Sequence, residues 1–125
     1  MYHVVEMKGD FEPWWFLEDW QEDIVKVQEF DDYYEALKWY KVAWRRLYAE
    51  FPHFNSRSDL MSAFWDETEQ RWCEECDEYL QQYHSILLLS DWEKIPDSWC
   101  RPGYKKKNCQ IKHQTCQIKK EKTVN

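Results

Sequence analysis

Glycine is scarce in this sequence, with only Gly9 and Gly103 among 125 residues. Loops that cradle phosphate groups and turns that bind dinucleotides need several glycines close together, so both kinds of site are excluded. Long apolar runs are also missing, because the longest aliphatic run, Ile86 to Leu89, is far too short to span a bilayer. The N-terminus lacks a basic segment followed by an apolar one, so we expect neither a secretory signal nor a membrane partner.

Recognisable catalytic patterns are missing too. No Ser lies in a nucleophile elbow, and the four His residues are scattered without a His-Glu-x-x-His pattern. The stretches EDWQED and DETEQ contain neighbouring carboxylates, but Asp and Glu are mostly solvent-exposed, so an acidic surface is the commoner explanation. The sequence therefore favours a binding module over an enzyme.

Aromatic residues are abundant, with 9 Trp, 8 Tyr and 6 Phe. Each buried aromatic ring removes roughly 150–250 Å² from water, so these rings exceed what a chain this short easily buries. Trp and Tyr often lie half-buried at an edge, but a surplus of exposed rings is also typical of a partner surface. We expect a protein partner to contact the residues beside Pro13: Trp14, Trp15, Phe16 and Trp20.

Charge is distributed unevenly along the chain. Residues 1–100 contain 9 Lys and Arg against 23 Asp and Glu, a balance of −14, whereas residues 101–125 contain 8 against 1, a balance of +7. We therefore divide the chain into an acidic, aromatic-rich domain at residues 1–98 and a basic tail at residues 99–125. The tail has no amphipathic period, so we expect it to be flexible and disordered.

The basic tail offers an alternative function. Lys105, Lys106 and Lys107 are suited to neutralising phosphates, which predicts salt-sensitive binding of nucleic acid through the tail only, because the acidic domain repels it. The tail lacks interleaved aromatic residues that stack on single-stranded bases, having only Tyr104. Folding back on the acidic domain, or remaining a solvated chain end, are the simpler interpretations.

The clearest element is a helix that begins at Asp32 and ends before Pro52. Asp32 and Glu35 fit a capping-box pattern. One apolar face recurs at alternating steps of four and three residues: Tyr33, Leu37, Tyr40, Trp44, Leu47 and Phe51. A second helix is predicted from about Cys76 to Leu89, because apolar residues recur there at helical spacing.

Five short segments are predicted as strands: Tyr2–Met7, Trp14–Leu17, Ile24–Phe30, Leu60–Trp65 and Arg71–Cys73. The fourth of them is open to interpretation as a helix start. HFNSRSD is predicted to be a loop and DETEQ a hairpin turn. The order β-β-β-α-β-β-α indicates an α+β domain, a small antiparallel sheet with two helices packed on it, followed by the flexible C-terminal tail.

Five Cys residues, an odd number without the density of a disulfide scaffold, indicate a reducing cytoplasm with free thiols or a metal. The string WCEEC at residues 72–76 resembles a dithiol redox site, although the neighbouring carboxylates oppose formation of a thiolate. The favoured interpretation is that Cys73 and Cys76 are small buried hydrophobes on the apolar face of the second helix.

A zinc site is the remaining interpretation of the cysteines. Cys73 and Cys76 supply two ligands, and His84 is a further candidate in the same segment. The other candidates lie nearer the C-terminus: Cys100, Cys109, His113 and Cys116. Their spacing suits a metal, but the pairs lack the Gly that usually forms a zinc knuckle. No cofactor other than zinc is expected.

Two long Trp-rich strings carry a family resemblance. Residues 6–16, EMKGDFEPWWF, are similar to the opening of a family of short proteins from low-GC Gram-positive bacteria, and residues 64–84, which include RWCEECDEYLQQYH, are similar to its second signature. The family is catalogued as a domain of unknown function, and the resemblance covers about residues 1–90. It implies a cytoplasmic bacterial protein and implies no activity.

Together these observations predict a small non-enzymatic cytoplasmic module for interaction or regulation. A zinc- or thiol-dependent protein that uses Cys73 and Cys76 is one alternative. A nucleic-acid-binding protein that acts through the basic tail is the other.

Overall fold

The computed structural model of the chain describes residues 1–108. These residues form a helix, α1 (Tyr33–Glu50), and one sheet of seven antiparallel strands. The strands are β1 (Tyr2–Gly9), β2 (Ile24–Phe30), β3 (His53–Arg57), β4 (Met61–Cys73), β5 (Glu78–Ser90), β6 (Glu93–Lys94) and β7 (Lys106–Lys107). They lie side by side in the order β2-β1-β5-β4-β3-β7, and β6 pairs with the end of β5.

Local signals explain α1. The Oδ2 atom of Asp32 accepts a hydrogen bond from the backbone N–H of Glu35 at 3.0 Å, which satisfies one free donor of the first turn. The chain becomes extended at Phe51, immediately before Pro52. The helix predicted between Asp32 and Pro52 is therefore confirmed. Its buried residues are Tyr33, Ala36, Tyr40, Ala43, Trp44 and Leu47.

The sheet is covered on both faces. α1 packs on one of them, the helix face, and the segment between β1 and β2 packs on the other, the loop face. Buried residues of the helix face include Val4, Phe64, Ile86 and Leu88. Those of the loop face are Val5, Met7, Met61, Leu87 and Leu89. Since alternate residues of a strand point to opposite faces, the run from Ile86 to Leu89 is buried throughout.

The predicted second helix is wrong, and with it the predicted fold class. The chain from Cys76 to Leu89 forms a turn and most of β5. Because both faces of β5 are covered, its apolar residues form a continuous run, and such a run resembles a buried helix in sequence. Within residues 1–108 the architecture is a seven-stranded antiparallel sheet with a single α-helix on one face.

Three local predictions are also wrong. Trp14–Leu17 is not a strand, because a 3-10 turn at Pro13–Trp15 occupies this part of the chain. The predicted loop HFNSRSD contains β3, which pairs with β4. DETEQ is not a hairpin turn but lies within β4, where the register with β5 is irregular between Trp65 and Gln70, and the chain reverses between Cys73 and Glu78 instead.

The first part of the predicted tail packs on the domain. The indole of Trp99 stacks on the ring of Tyr2 with centroids 5.5 Å apart. β7 pairs with β3, and the Lys106 ammonium lies 5.3 Å from the ring centroid of Trp44. The rest of the predicted tail, residues 109–125, lies outside the described residues.

Candidate functional site

The segment between β1 and β2 forms the candidate site. Asp10, its first residue, is anchored by side chains of the sheet. The Asp10 carboxylate accepts hydrogen bonds from Arg71 Nε at 3.1 Å, Arg71 Nη2 at 2.5 Å and Gln82 Nε2 at 2.8 Å. The Arg71 guanidinium, helped by Gln82, lowers the pKa of the Asp10 carboxyl although partial burial opposes this. Arg71 and Gln82 lie on β4 and β5, so the segment is tied to the long β4–β5 hairpin.

The two ends of this segment meet at Gly9. A Cβ atom at Gly9 would lie closer to Oδ2 of Asp23 than real Cβ contacts come. Asp23 is the last residue of the second 3-10 turn, immediately before β2. The missing side chain of Gly9 therefore lets the Asp23 carboxylate lie against the end of β1.

Three of the four predicted contact residues help to cover the sheet. Trp14, Phe16 and Trp20 pack against the apolar cluster of the loop face. Trp14 also stacks on the guanidinium of Arg57, which lies 5.0 Å from its ring centroid. Phe16 and Trp20 meet edge to face at 5.1 Å. These three residues lie together with their inner surfaces in the core, and contact with a partner at them stays a prediction.

Trp15 is the fourth predicted contact residue, and it points outward. Its side chain is 59% exposed, and its Nε1 donates a hydrogen bond to Oε1 of Glu12 at 3.0 Å. Phe11 and Leu17, on either side of it in sequence, are also exposed. Exposed apolar side chains are therefore concentrated in this short segment.

These side chains line a cleft of about 360 Å³. Its apolar lining includes Met7, Phe11, Trp15, Phe16, Leu17 and Trp20. Its acidic lining consists of Glu12, Glu18, Asp19, Glu22 and Asp23. Among residues 1–108, no Lys or Arg lines the cleft. A lining that combines apolar side chains with carboxylates is chemically suited to a ligand that joins an apolar body to a positive charge.

Burial and neighbouring carboxylates both raise the pKa of Asp23, one of the residues that line the cleft. Partial burial raises the pKa of its carboxyl, and the nearby carboxylates of Asp10 and Glu22 raise it further, while Arg71 opposes them. Both causes disfavour the ionised form. A cation that entered the cleft would stabilise the Asp23 carboxylate.

The family assignment is decided by a match over nearly the whole chain. A family model described as "Protein of unknown function (DUF1033)" matches residues 1–118. The chain belongs to this family. The match includes the cleft, the β4–β5 hairpin and both strings that resemble an uncharacterised family in sequence. Comparisons of this DUF1033 chain with curated proteins and with solved structures give no match. Across the part described, no helix is long and apolar enough to cross a membrane.

The second predicted site of the DUF1033 chain lies at the tip of the β4–β5 hairpin. Cys73, the last residue of β4, forms a disulfide with Cys76 in the turn, and their Cα atoms lie 5.3 Å apart. Cys73 is buried, whereas Cys76 is exposed. The expectation that both are core residues on a helix is therefore wrong. The physical reason is that Cys76 lies in the hairpin turn, outside the sheet.

His84 is not brought to these cysteines. Cys73 pairs with Glu78 and His84 pairs with Phe64, so six residues of β5 separate them, about 20 Å at the rise of a strand. The His84 ring instead hydrogen-bonds to Glu69 at 2.8 Å. The pKa of Glu69 is lowered, because its hydrogen bonds to His84 and a lysine outweigh the opposing effect of burial.

The other predicted sites stay predictions. No group of three or more His, Cys, Asp or Glu residues in residues 1–108 is placed to hold a metal. Cys109, His113 and Cys116 of the zinc prediction lie outside that range. Lys105, Lys106 and Lys107, predicted to contact nucleic acid, are exposed along the β3 edge of the sheet.

The acidic half of the cleft is what sequence reasoning missed. In sequence, the carboxylates of EDWQED are typical of an ordinary exposed acidic surface. In the fold they line the same cavity as Trp15 and Trp20. The available signal was the close alternation of aromatic and acidic residues over residues 11–23. This alternation indicates an amphipathic surface only when the segment is known to be a loop that covers one face of the sheet.

Proposed function

We propose that this protein is a binding module whose cleft takes up a short segment of a partner protein, one in which Lys or Arg lies beside an aromatic or aliphatic residue. The observation that carries the proposal is the composition of the cleft. Seven apolar side chains and five carboxylates line it, and no Lys or Arg of the described chain neutralises it from within the lining. A cationic and apolar segment complements both properties.

The aromatic side chains and the carboxylates of the cleft have separate roles in this proposal. The exposed indole of Trp15 offers a π-face to a Lys or Arg side chain, an interaction of about 0.5–2 kcal/mol. The carboxylates attract basic ligands and reject acidic ones, which affects association rate and specificity more than affinity. Trp14, which packs on the sheet and on the Arg57 guanidinium, belongs to the same segment but does not line the cleft.

The proposal includes a cellular setting. We propose that the protein works in the cytoplasm of a low-GC Gram-positive bacterium, supported by the resemblance of the two Trp-rich strings to proteins of such bacteria. Binding rather than catalysis is proposed because the sequence contains no recognisable nucleophile motif or cofactor loop.

Selection from a library of short random peptides tests the proposal without presuming a partner. Peptides are selected on the wild-type protein, and the Kd of each is measured by calorimetry. The expected result is enrichment of Lys or Arg next to aromatic or aliphatic residues. Affinity should fall about 30-fold in Trp15→Ala, in line with loss of an interface hot spot.

Matched variants separate the cleft from general surface effects. Trp39→Ala removes another exposed Trp, on α1, whose ring centroid lies 5.7 Å from the Lys26 ammonium, and its affinity should match that of the wild type. Glu18→Gln with Glu22→Gln should weaken binding several-fold, whereas Glu93→Gln with Asp97→Asn, an equal change in charge outside the cleft, should not. Peptides that bind Trp15→Ala and Trp39→Ala equally well would refute the proposal.

A further inference from the structure

We propose that the tip of the β4–β5 hairpin is a thiol–disulfide exchange site that reacts preferentially with positively charged disulfides. The reacting groups are the thiols of Cys73 and Cys76. The acidic residues in and beside the turn are Glu74, Glu75, Asp77 and Glu78. None of these residues lines the cleft, so this proposal and the proposed peptide binding stand or fall separately.

The backbone of the turn holds the two cysteines within reach of each other. Their Cα atoms lie 5.3 Å apart, inside the range that a disulfide spans. The N–H of Asp77 donates to the carbonyl oxygen of Cys73 at 2.8 Å, and Asp77 adopts a left-handed φ of 58°. The N–H of Cys76 donates to Sγ of Cys73 at 3.1 Å. These contacts belong to the turn itself, so we expect the cysteines to stay close when the S–S bond opens.

The two cysteines differ in exposure to solvent, and we assign them different roles in the exchange. Cys76 is exposed to solvent, whereas Cys73 is only 7% exposed. An incoming disulfide therefore reaches Cys76 first. Cys73 then acts as the resolving thiol, because it is adjacent and shielded from a second molecule of the co-substrate.

The exchange takes place in two steps, and its bonds, protons and electrons balance. The Cys76 thiolate attacks one sulfur of a co-substrate R–S–S–R, the S–S bond breaks, and one R–S⁻ leaves and takes up a proton. The Cys73 thiolate then attacks the Cys76 sulfur, the mixed disulfide breaks, and the second R–S⁻ leaves and is protonated. The two cysteines lose two protons and two electrons, and the co-substrate is reduced to two R–SH.

The surroundings of the pair select for positive charge. Four carboxylates lie in or beside the turn, and Arg71, the cationic residue nearest in sequence, is held by Asp10. The rings of Trp72 and Tyr79, which pair across the hairpin next to Cys73 and Glu78, meet edge to face with centroids 5.0 Å apart and are 44% and 64% exposed. Carboxylates disfavour the attacking thiolate and repel anionic co-substrates, whereas a cation offsets that charge and binds exposed aromatic faces.

Differential alkylation of the full-length protein tests the proposal. Reduced protein is mixed with cystamine, which is cationic, with hydroxyethyl disulfide, which is neutral, or with glutathione disulfide, which is anionic. Samples are quenched with N-ethylmaleimide and digested with trypsin. The peptide from Trp72 to Lys94 contains Cys73 and Cys76 and none of the other cysteines, so its mass reports this pair alone.

The expected result is a Cys73–Cys76 disulfide that forms about tenfold or more faster with cystamine than with glutathione disulfide at low salt. The ratio should shrink when salt rises from about 0.01 M to about 1 M, because the Debye length falls from about 30 Å to about 3 Å. A pair that stays fully alkylated with every co-substrate would overturn the exchange. A rate ratio that does not respond to salt would overturn the selection by charge.

Two sets of variants test the assigned positions. In Cys73→Ser the mixed disulfide on Cys76 should accumulate, whereas Cys76→Ser should react more slowly at the shielded Cys73. Equal or faster reaction of Cys76→Ser would overturn the order of attack.

Charge variants test the selection for cationic disulfides. Glu74→Gln with Glu75→Gln should reduce the ratio of the cystamine rate to the glutathione disulfide rate, and Glu93→Gln with Asp97→Asn, beyond the far end of β5, should leave this ratio unchanged. A ratio that falls only in the Glu93→Gln with Asp97→Asn variant would overturn the charge argument. Circular dichroism checks that each variant is folded.

Discussion

Arg71 on β4 forms a two-point ion pair with Asp10, 61 residues earlier in the chain, through Nε and Oδ1 at 3.1 Å and Nη2 and Oδ2 at 2.5 Å. The pair joins the long hairpin to the turn from which the cleft segment departs. The Arg71 and Asp10 side chains are 52% and 22% exposed, so solvent screens much of the attraction between them. This contact, together with the packing of Trp14, Phe16 and Trp20, holds the cleft segment on the sheet.

The Asp10→Asn substitution should lower stability at neutral pH by about 1 kcal/mol, a figure that allows for solvent screening. The pKa of Asp10 is lowered in the folded state, chiefly by Arg71. Its stabilising effect is therefore present above the pKa of the unfolded chain and is lost as pH falls through the folded value. Urea unfolding over a pH series checks this. A wild-type–variant difference that persists at pH values below the folded pKa would contradict it.

Asp23→Asn should have the opposite effect and raise stability at neutral pH by about 0.5 kcal/mol. Burial first, and the charges of Asp10 and Glu22 second, raise the pKa of Asp23. Its favourable effect is therefore present below the unfolded pKa and is lost as pH rises through the folded pKa. The same substitution should weaken the binding of basic peptides. A variant that is less stable at neutral pH would show that the carboxylate is well accommodated.

Trp14→Ala and Trp15→Ala should differ although the residues are adjacent. Trp14 packs on the sheet and on Arg57, so its loss should lower the free energy of unfolding by about 2 kcal/mol. Trp15 is largely exposed, and its loss should change stability by less than about 0.5 kcal/mol. Thermal and urea unfolding of the two variants measure this. Equal losses would place Trp15 in the core.

Gly9→Ala should lower stability by about 1 kcal/mol, because the added Cβ would displace the Asp23 carboxylate. Asp23→Ala removes the displaced group. Gly9→Ala should therefore lower stability less in a protein that already carries Asp23→Ala than it does in the wild type. A double-mutant cycle measures this difference. Strict additivity of the two substitutions would contradict the contact.

Replacing Cys73 and Cys76 together by Ser should lower the free energy of unfolding by no more than about 2 kcal/mol. A disulfide stabilises mainly by restricting the unfolded chain, and this one closes a ring of only a few residues. Unfolding of the oxidised, reduced and doubly substituted proteins compares the three states. A larger loss would mean that the hairpin tip supports the core.

The helix was predictable because its signals are local. The Asp32 cap and the periodic face of Tyr40, Trp44 and Leu47 depend on neighbours within one or two turns. The extent of β5 was not predictable in this way. Its continuous burial results from two layers contributed by distant parts of the chain, α1 and the segment between β1 and β2. Nothing within Leu80–Leu89 itself reveals those layers.

The cleft was predictable in part. Pro13 and the four aromatic residues indicate the segment that forms the cleft, because their density is unusual in any context. The outward direction of Trp15, the inward packing of Trp14 and the role of Asp23 depend on the Arg57, Arg71 and Gly9 contacts. Those contacts join residues up to 61 positions apart, which spacing along the chain does not show.

The most direct test of the central claim is an NMR titration of the full-length protein with a basic, aromatic-containing peptide, read at backbone amides and indole N–H groups. The account predicts that the largest shifts lie within residues 11–23, the indole of Trp15 among them, and that salt reduces the affinity. The exposed indole of Trp39, on α1, should not move. Shifts centred on Trp39 or on Trp72, with the 11–23 segment unchanged, would contradict the account.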